Sequence, residues 1–184
     1  MKRKVLNRGF IQLNGVSGEE IPYTPIESVV FSFRIKCPIF VARQWFQDRW
    51  SSFSEISDKT TFLSEDFYTP SHFQSSQEGI TLTEAESNLL YKKIENFNKW
   101  SLNFFNKLTK EHFISNDQAR MILPQSMYTE FYWTVNAKSL MNFLRHRLVN
   151  KDKWEMHQYA ECLLDMFKQK LPKTAEEFIK GVWK

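Results

Sequence analysis

The sequence predicts an α+β fold, and three stretches of the chain carry that prediction. Val30–Lys36 alternates between apolar and polar side chains, which is typical of a strand with one buried face. The stretch Glu84–His112 repeats apolar side chains at helical spacing, after a capping box formed by Thr83 and Glu86. Across Phe131–Arg147 a strand-like alternation changes into an amphipathic helix. Strands and helices of ordinary length therefore share one chain, with no internal repeat.

The other elements of the first half are shorter. A first strand is predicted over Lys4–Leu13, and the glycines and prolines of residues 14–28 predict a loop. Pro38 suits the first turn of a short helix that runs through residues 44–46. Residues 50–63 are polar and serine-rich, which favours a loop or an edge strand, and residues 70–79 form another loop.

In the second half, each predicted helix has a packing face. The long helix presents one face through Leu90, Ile94, Phe97, Ser101, Phe104 and Leu108. A helical turn over residues 117–123 is stopped by Pro124. A later helix spans residues 152–170, with Tyr159, Leu163 and Phe167 in register, and Pro172 ends it. Thr174 and Glu177 are expected to cap a last short helix.

Composition narrows the function classes. The chain has 184 residues, which favours one domain over residues 1–184, and its 42% hydrophobic content argues against disorder. With only 5 glycines and no glycine-rich motif, a phosphate-binding loop is not expected. A net charge of +4 suits an anionic ligand, but without a dense basic run it does not predict DNA binding. No apolar run approaches the length that spans a membrane.

The two cysteines indicate a reducing compartment. Cys37 and Cys162 lack the spacing of metal ligands, so no metal site is predicted, and buried thiols are favoured over a disulfide. No signal peptide is recognised at the start of the chain. The expected location is therefore the cytoplasm of a cell or of an infected host.

Arg147 stands out among the charged residues. It continues the apolar line of Leu140, Phe143 and Leu144 at helical spacing, and a guanidinium on a core-facing line needs an anionic partner. Lys138 and Asn142 share another face of the helix, with Asn136 just before it; all three are expected to converge on a polar ligand. The alternative is an ordinary helix in which Arg147 pairs with an internal carboxylate.

A second polar region lies between Cys37 and Thr60. Hydroxyls, an amide, a carboxylate and two cations are interleaved with aromatic residues there, and such groups suit a phosphate and the edge of a pyrimidine. The alternative is a solvated loop whose polarity is incidental. The residues concerned are Gln44, Arg49, Ser52, Glu55, Ser57 and Lys59.

These two regions resemble the flavin-dependent thymidylate synthases. CPIFVARQWFQDRWSSFSEIS, from Cys37 to Ser57, is similar to the family's signature R-H-R-x-x-S-x-N-E-x-S-x-R-Y. ARMILPQSMYTEFYWTVNAKSLMNFLRHR, which ends at Arg147, followed by WEMHQYA, resembles the family's second conserved region. The matches cover roughly residues 24–60 and 117–171, in the family's order.

The resemblance implies a fold and a chemistry. The fold is a central, mostly antiparallel sheet with flanking helices and a long helix pair, like the thymidylate-synthase-complementing proteins. The activity is reductive methylation of dUMP, or of another pyrimidine nucleotide, in a homotetramer that shares its active sites between subunits. FAD, NADPH and methylenetetrahydrofolate are the implied cofactors. A flavin hydride reduces the methylene carried on uracil, and no cysteine nucleophile is used.

The resemblance also assigns roles to residues. Arg147 is the catalytic candidate, and it is also among the substrate-binding candidates, which are Gln44, Glu55, Ser57, Lys59, Arg120 and Arg147. The candidates for cofactor binding are Arg49, Ser52, Asn136, Lys138 and Asn142.

Departures from the family pattern fall mainly on flavin contacts. The family's Arg-His-Arg tripeptide reads Gln47-Asp48-Arg49 in this chain, so only Arg49 is kept. Ser28 replaces the histidine of a separate family motif, Thr-Pro-x-Glu-His. An aspartate in place of a cation is expected to oppose the diphosphate of FAD. Lys59 and Lys138 keep the charge of the family's arginines but lose the bidentate fork. Three functions remain open: a divergent synthase, a paralogue that binds a pyrimidine nucleotide without flavin chemistry, and a related enzyme that modifies uracil at C5.

Overall fold

The structure is a computed structural model that describes residues 1–18, 25–56, 66–71, 73, 81–149 and 153–182. The chain divides into two compact units. The first comprises Met1–Leu63 and Thr129–Lys184, and the second comprises Ser64–Tyr128. The first unit contains the β-sheet, and the second contains the long helix.

A five-stranded sheet organises the first unit, with the strand order β1-β2-β3-β5-β4. Strand pairs β1–β2, β2–β3 and β4–β5 are antiparallel, so the expected α+β class with a mostly antiparallel sheet is confirmed. The strands are β1 (Lys2–Val5), β2 (Gly9–Ser17), β3 (Val30–Pro38), β4 (Ser52–Glu55) and β5 (Tyr128–Asn136).

The prediction of one strand over Lys4–Leu13 was wrong. The chain turns back after Val5, with Leu6 in the left-handed region at φ 57°, and Gly9 pairs with Val5 across the hairpin. Strand β2 then continues to Ser17, into the region predicted to be a loop. The edge strand expected after residue 50 is confirmed as β4.

Strand β3 follows its sequence pattern. Phe31, Phe33 and Ile35 are fully buried, whereas the polar residues between them are only partly buried. The ring of Phe33 stacks on Trp133 of β5 with centroids 5.5 Å apart, and Trp133 meets Trp45 edge-on at 5.3 Å. Because Trp45 lies in the short helix α1 (Ile39–Trp45), these rings join the sheet to the helix that leads into the site.

Three further helices complete the first unit. They are α4 (Ala137–Val149), α5 (Trp154–Lys170) and α6 (Pro172–Val182). The predicted faces are confirmed for α4, through Leu140, Phe143 and Leu144, and for α5, through Tyr159, Leu163 and Phe167, because all six side chains are buried. Helix α6 begins at Pro172, so the predicted Thr174 cap was wrong: Thr174 lies inside the first turn.

Gly9 provides a test of how tightly this unit is packed. A Cβ at Gly9 would overlap the Tyr159 hydroxyl and lie 2.8 Å from the Lys36 carbonyl oxygen, which also accepts the Tyr159 hydrogen bond at 2.7 Å. Gly9→Ala is therefore expected to lower the free energy of unfolding by about 1–3 kcal/mol, as overpacking does. A Cβ at Gly15 meets no atom within 4 Å, so Gly15→Ala is the matched control in urea denaturation. Equal stability of the two variants would contradict the close packing at Gly9.

The second unit is built on α2 (Glu84–Lys110), and its predicted capping box is confirmed. Thr83 Oγ1 accepts from the Glu86 amide at 3.3 Å, and Glu86 Oε2 accepts from the Thr83 amide at 2.8 Å. A short helix α3 (Asn116–Ala119) and a 3-10 turn (Arg120–Ile122) follow, which confirms the helical turn before Pro124.

The packing face predicted for α2 was wrong in part. Phe97 and Phe104 are exposed, whereas Asn98, Ser101 and Phe105 are buried. Asn98 is accommodated because its amide nitrogen donates to Thr69 at 3.5 Å and its amide oxygen accepts from Ser126 at 3.1 Å. These polar contacts draw the Asn98 side of the helix inward.

A row of aromatic rings lies on a neighbouring side of α2, about 100° around the helix axis from the buried side. Trp100, with 58% of its surface exposed, stacks on Phe97 at 6.2 Å and on Phe104 at 5.3 Å. We call Phe97, Trp100 and Phe104 the α2 aromatic face. Within the ranges that the structure describes, no helix combines the length and apolar character needed to cross a bilayer.

Candidate active site

A cleft of about 720 Å³ opens in the first unit between the end of α1 and helix α4. Four of its residues follow α1 directly, and four lie on one side of α4. The lining residues are Gln47, Asp48, Arg49, Trp50, Asn142, Phe143, His146 and Arg147. The wall is thus rich in cations and amides, with two aromatic rings.

Local hydrogen bonds fix the wall that follows α1. The helix ends at Trp45, and the Asp48 amide donates to the Trp45 carbonyl at 3.1 Å, which turns the chain away from the helix axis. Asp48 Oδ1 then accepts from the Trp50 amide at 3.3 Å, and the Asp48 carbonyl accepts from the Ser51 hydroxyl at 3.4 Å. An aspartate that accepts from the amide two residues later closes an Asx-turn.

Arg147 is held at the base of the α4 wall. Its Nη2 donates to the Gln44 carbonyl oxygen at 2.7 Å, and its guanidinium lies 5.5 Å from the centroid of the Phe143 ring. Partial burial lowers the pKa of Arg147, and the charge of Asp48 opposes that shift. The anionic partner expected for Arg147 is therefore replaced by a backbone carbonyl at contact distance, with Asp48 acting at longer range.

Two buried oxygens border this arrangement. Neither Gln44 Oε1 nor Asp48 Oδ2 has a hydrogen-bond partner among the described residues. A buried acceptor without a donor costs about 1–3 kcal/mol. Among the same residues, the Arg147 guanidinium donates one hydrogen bond, from Nη2 to the Gln44 carbonyl. Its other N–H groups are therefore available to an anion or a carbonyl of a ligand. The site is thus polar, incompletely satisfied and suited to a ligand with both acceptors and donors.

Asn136, Lys138 and Asn142 do not line one cleft among the described residues. Asn142 lines the cleft. Asn136 instead caps α4, because its side-chain oxygen accepts from the Ser139 amide at 2.8 Å. Lys138 is exposed and pairs with Glu27 at 2.5 Å, and this contact lowers the pKa of Glu27.

The other candidates have separate locations. Ser52 and Glu55 lie on the edge strand β4, where Glu55 accepts from the Thr129 hydroxyl at 2.7 Å. Arg120 belongs to the second unit, 3.8 Å from the Asp117 carboxylate. Ser57 and Lys59 lie outside the described residues. Of the predicted site residues, the cleft therefore brings together Arg49, Asn142 and Arg147, with Gln44 bonded directly to Arg147.

Three lining residues were not predicted as part of the site. The sequence pattern places Phe143 on the core face of α4 and predicts no site role for His146. Trp50 begins a segment that the sequence predicts to be a loop or an edge strand. A usable signal was present for two of them: His146 and Asn142 are four residues apart on the helix, and Trp50 is a large aromatic in a segment with no apolar periodicity.

The thiols are not placed for catalysis. Burial raises the pKa of Cys37 well above its ordinary value, and the charge of Glu55 raises it further. Burial also raises the pKa of Cys162, to about 11. Both thiols are therefore protonated near neutral pH, and a thiolate nucleophile is disfavoured. Within the described part of the chain, no three His, Cys, Asp or Glu side chains are grouped so that they could hold a metal ion.

Comparison with known proteins gives one consistent family. The family described as thymidylate synthase complementing protein matches residues 13–173. A flavin-dependent thymidylate synthase from Thermosipho melanesiensis is 37% identical over 98% of this chain and 94% of its own, and one from Thermosipho africanus is 42% identical over 88% and 73%.

A solved structure shares the fold. The UMP/dUMP methylase PolB from Streptomyces cacaoi, bound with 5-Br UMP, superposes with a TM-score of 0.83 over 95% of both chains at 21% identity.

Proposed function

Because the chain belongs to the thymidylate synthase complementing protein family, we propose that it is a flavin-dependent thymidylate synthase that methylates dUMP to give dTMP. The observation that carries the proposal is the cleft that joins Arg49, Asn142 and Arg147. These residues come from the two regions that resemble the family's conserved motifs, and the whole second unit separates Arg49 from Asn142 and Arg147 along the chain.

The roles of the cleft residues follow from their chemistry. Arg147 has N–H groups that suit an anion or a ring carbonyl, and its contacts with Gln44 and Phe143 orient the guanidinium. As the catalytic candidate, it holds and polarises the uracil or its phosphate. Arg49 and Asn142 face the same space and suit an anionic cofactor.

The implied cofactor fits the residues present. FAD, when bound, supplies the hydride that completes the methyl group. The cations, the amides and the volume of the cleft suit a flavin nucleotide, although Gln47 and Asp48 replace two of the family's flavin contacts. We further propose NADPH as reductant, methylenetetrahydrofolate as carbon donor and a homotetramer as the working assembly.

The direct test combines the visible colour of bound flavin with a measurement of dTMP formation. The purified protein is expected to be yellow and to form dTMP only when dUMP, NADPH and methylenetetrahydrofolate are all present. Product formation is measured by chromatography, with each component omitted in turn as a control. A colourless protein that binds dUMP and forms no dTMP with added FAD would instead support the nucleotide-binding paralogue.

A second candidate function is methylation of UMP. The support is the likeness to a structure described as a UMP/dUMP methylase, together with the changed residues Gln47 and Asp48 in the cleft. Competition between UMP and dUMP in the same assay separates the two candidates. Methylated UMP as the main product would favour the related uracil C5-modifying enzyme.

The cysteines offer an independent check on the type of mechanism. Because burial keeps both thiols protonated, Cys162→Ala and Cys37→Ala are each expected to retain kcat within about twofold, with Cys37→Ala losing some stability in the core. The measurement is dTMP formation by each folded variant. Loss of turnover in a variant with a normal unfolding midpoint would indicate a thiol nucleophile and contradict the proposed chemistry.

A further inference from the structure

Trp50 is unusually exposed for a tryptophan that lines a cleft. Its side chain retains 80% of its accessible surface, and it borders the same space as Arg49, Arg147 and His146. Covering an exposed indole removes apolar surface from water, so a ligand that packs on Trp50 gains free energy. A flat, electron-rich ring at such a place suits the face of another planar ring.

The backbone at Trp50 is anchored to Asp48. The Trp50 amide donates to Asp48 Oδ1 at 3.3 Å, and the Ser51 hydroxyl donates to the Asp48 carbonyl at 3.4 Å. Trp50, which follows this turn, lines the cleft together with residues of α4. Asp48 therefore has a local structural task that an alanine cannot perform and an asparagine can, because the asparagine side-chain oxygen accepts in the same geometry.

We propose that Trp50 is a stacking platform for a planar heteroaromatic ring bound in the cleft, and that Asp48 is the positioning residue that presents it. The inference rests on the proposed function, which supplies such rings in the flavin, the uracil and the pterin. According to this proposal, residues 47–50 form a ligand-binding wall of the cleft in which Trp50 makes the main contact. The carboxylate of Asp48 forms the turn and does not serve mainly to repel a diphosphate.

The test compares four variants with three ring-bearing probes. FAD, dUMP and tetrahydrofolate are each titrated by calorimetry into the full chain and into Trp50→Ala, Trp50→Phe, Asp48→Ala and Asp48→Asn. Trp50→Ala is expected to weaken one probe about tenfold, and Trp50→Phe is expected to stay within about threefold of the wild type. Asp48→Ala is expected to reproduce the loss, and Asp48→Asn is expected to restore binding. The probe that is weakened identifies the ring.

A spectroscopic readout separates stacking from a merely structural effect. If the ring is the flavin, bound FAD fluoresces more strongly in Trp50→Ala than in the wild type, because an indole in contact quenches flavin emission. Trp154→Ala is the matched control: Trp154 is partly exposed at the start of α5 and is not among the residues that line the cleft. All variants are first checked for an unchanged unfolding midpoint.

Three results would overturn the inference. Unchanged affinity of Trp50→Ala for all three probes, alongside normal dTMP formation by the wild type, removes the stacking role and leaves the proposed function intact. Tighter FAD binding by Asp48→Ala means that the carboxylate acts by repulsion, as the sequence alone suggests. Failure of the wild type to bind any probe or to form dTMP removes both the proposed function and this inference.

Discussion

Arg147→Ala is expected to weaken dUMP binding by about 2–3 kcal/mol, or roughly 30- to 150-fold, and to lower turnover at least as much. The guanidinium is half-buried on the cleft wall, and its contacts with the Gln44 carbonyl and the Phe143 ring hold it in place without using all of its donors. Removing it deletes the proposed charge-assisted contact to the nucleotide and leaves the backbone carbonyl of Gln44 without this donor. Calorimetry with dUMP and a dTMP assay measure the two effects.

Arg145→Ala is the matched control for this prediction. Arg145 lies on the same helix two residues earlier, but it is exposed and is not among the residues that line the cleft. Its removal changes the net charge by the same amount, so a general electrostatic effect on an anionic ligand would appear in both variants. Equal dUMP affinity in the wild type and Arg147→Ala would refute the assignment, and equal losses in both variants would reduce it to a long-range charge effect. Arg147→Lys is expected to recover only part of the loss, because lysine lacks the planar fork.

The sequence predicted correctly those elements in which the spacing of apolar side chains reflects one buried face. Strand β3 alternates because one face is buried under Trp133 and Phe167, and α4 shows its core face because Leu140 and Leu144 pack into the same core. The hairpin before Gly9 was missed because Leu6, a residue that rarely adopts a positive φ, occupies the left-handed position. A turn that relies on an unfavourable residue gives no pattern to recognise.

The sequence singled out a cleft residue where charge and burial conflict, and it missed a residue that a turn brings to the cleft. Arg147 was predicted to be a site residue because a cation on an apolar line requires compensation. Trp50 was not, because its place on the cleft depends on one side-chain hydrogen bond from its amide to Asp48, which spacing does not reveal. Lys138 does not line the cleft, because Glu27, a residue far away in sequence, pairs with it. Spacing along one element reveals neither kind of contact.

The proposed homotetramer predicts a large effect for the α2 aromatic face. Phe97, Trp100 and Phe104 form one stacked row, with Trp100 and Phe97 more than half exposed in the single chain. Burying an aromatic side chain of this kind contributes about 1.5–3 kcal/mol, and a symmetric contact repeats that contribution on both copies. Trp100→Glu is therefore expected to convert the tetramer to smaller species at micromolar concentration, because a buried charge replaces the central ring of the row.

Light scattering with size-exclusion chromatography measures the change in mass. The matched control is Trp154→Glu, which places the same charge at another partly exposed tryptophan, on α5 in the first unit. If sites are shared between subunits, Trp100→Glu also loses dTMP formation while keeping its helical circular dichroism, and activity returns at high protein concentration as the subunits reassociate. A tetramer that persists in Trp100→Glu would mean that another surface joins the subunits and that the aromatic row on α2 has a different partner. A wild-type protein that is monomeric at micromolar concentration would remove the shared-site part of the proposal, and with it the reason for expecting activity to depend on protein concentration.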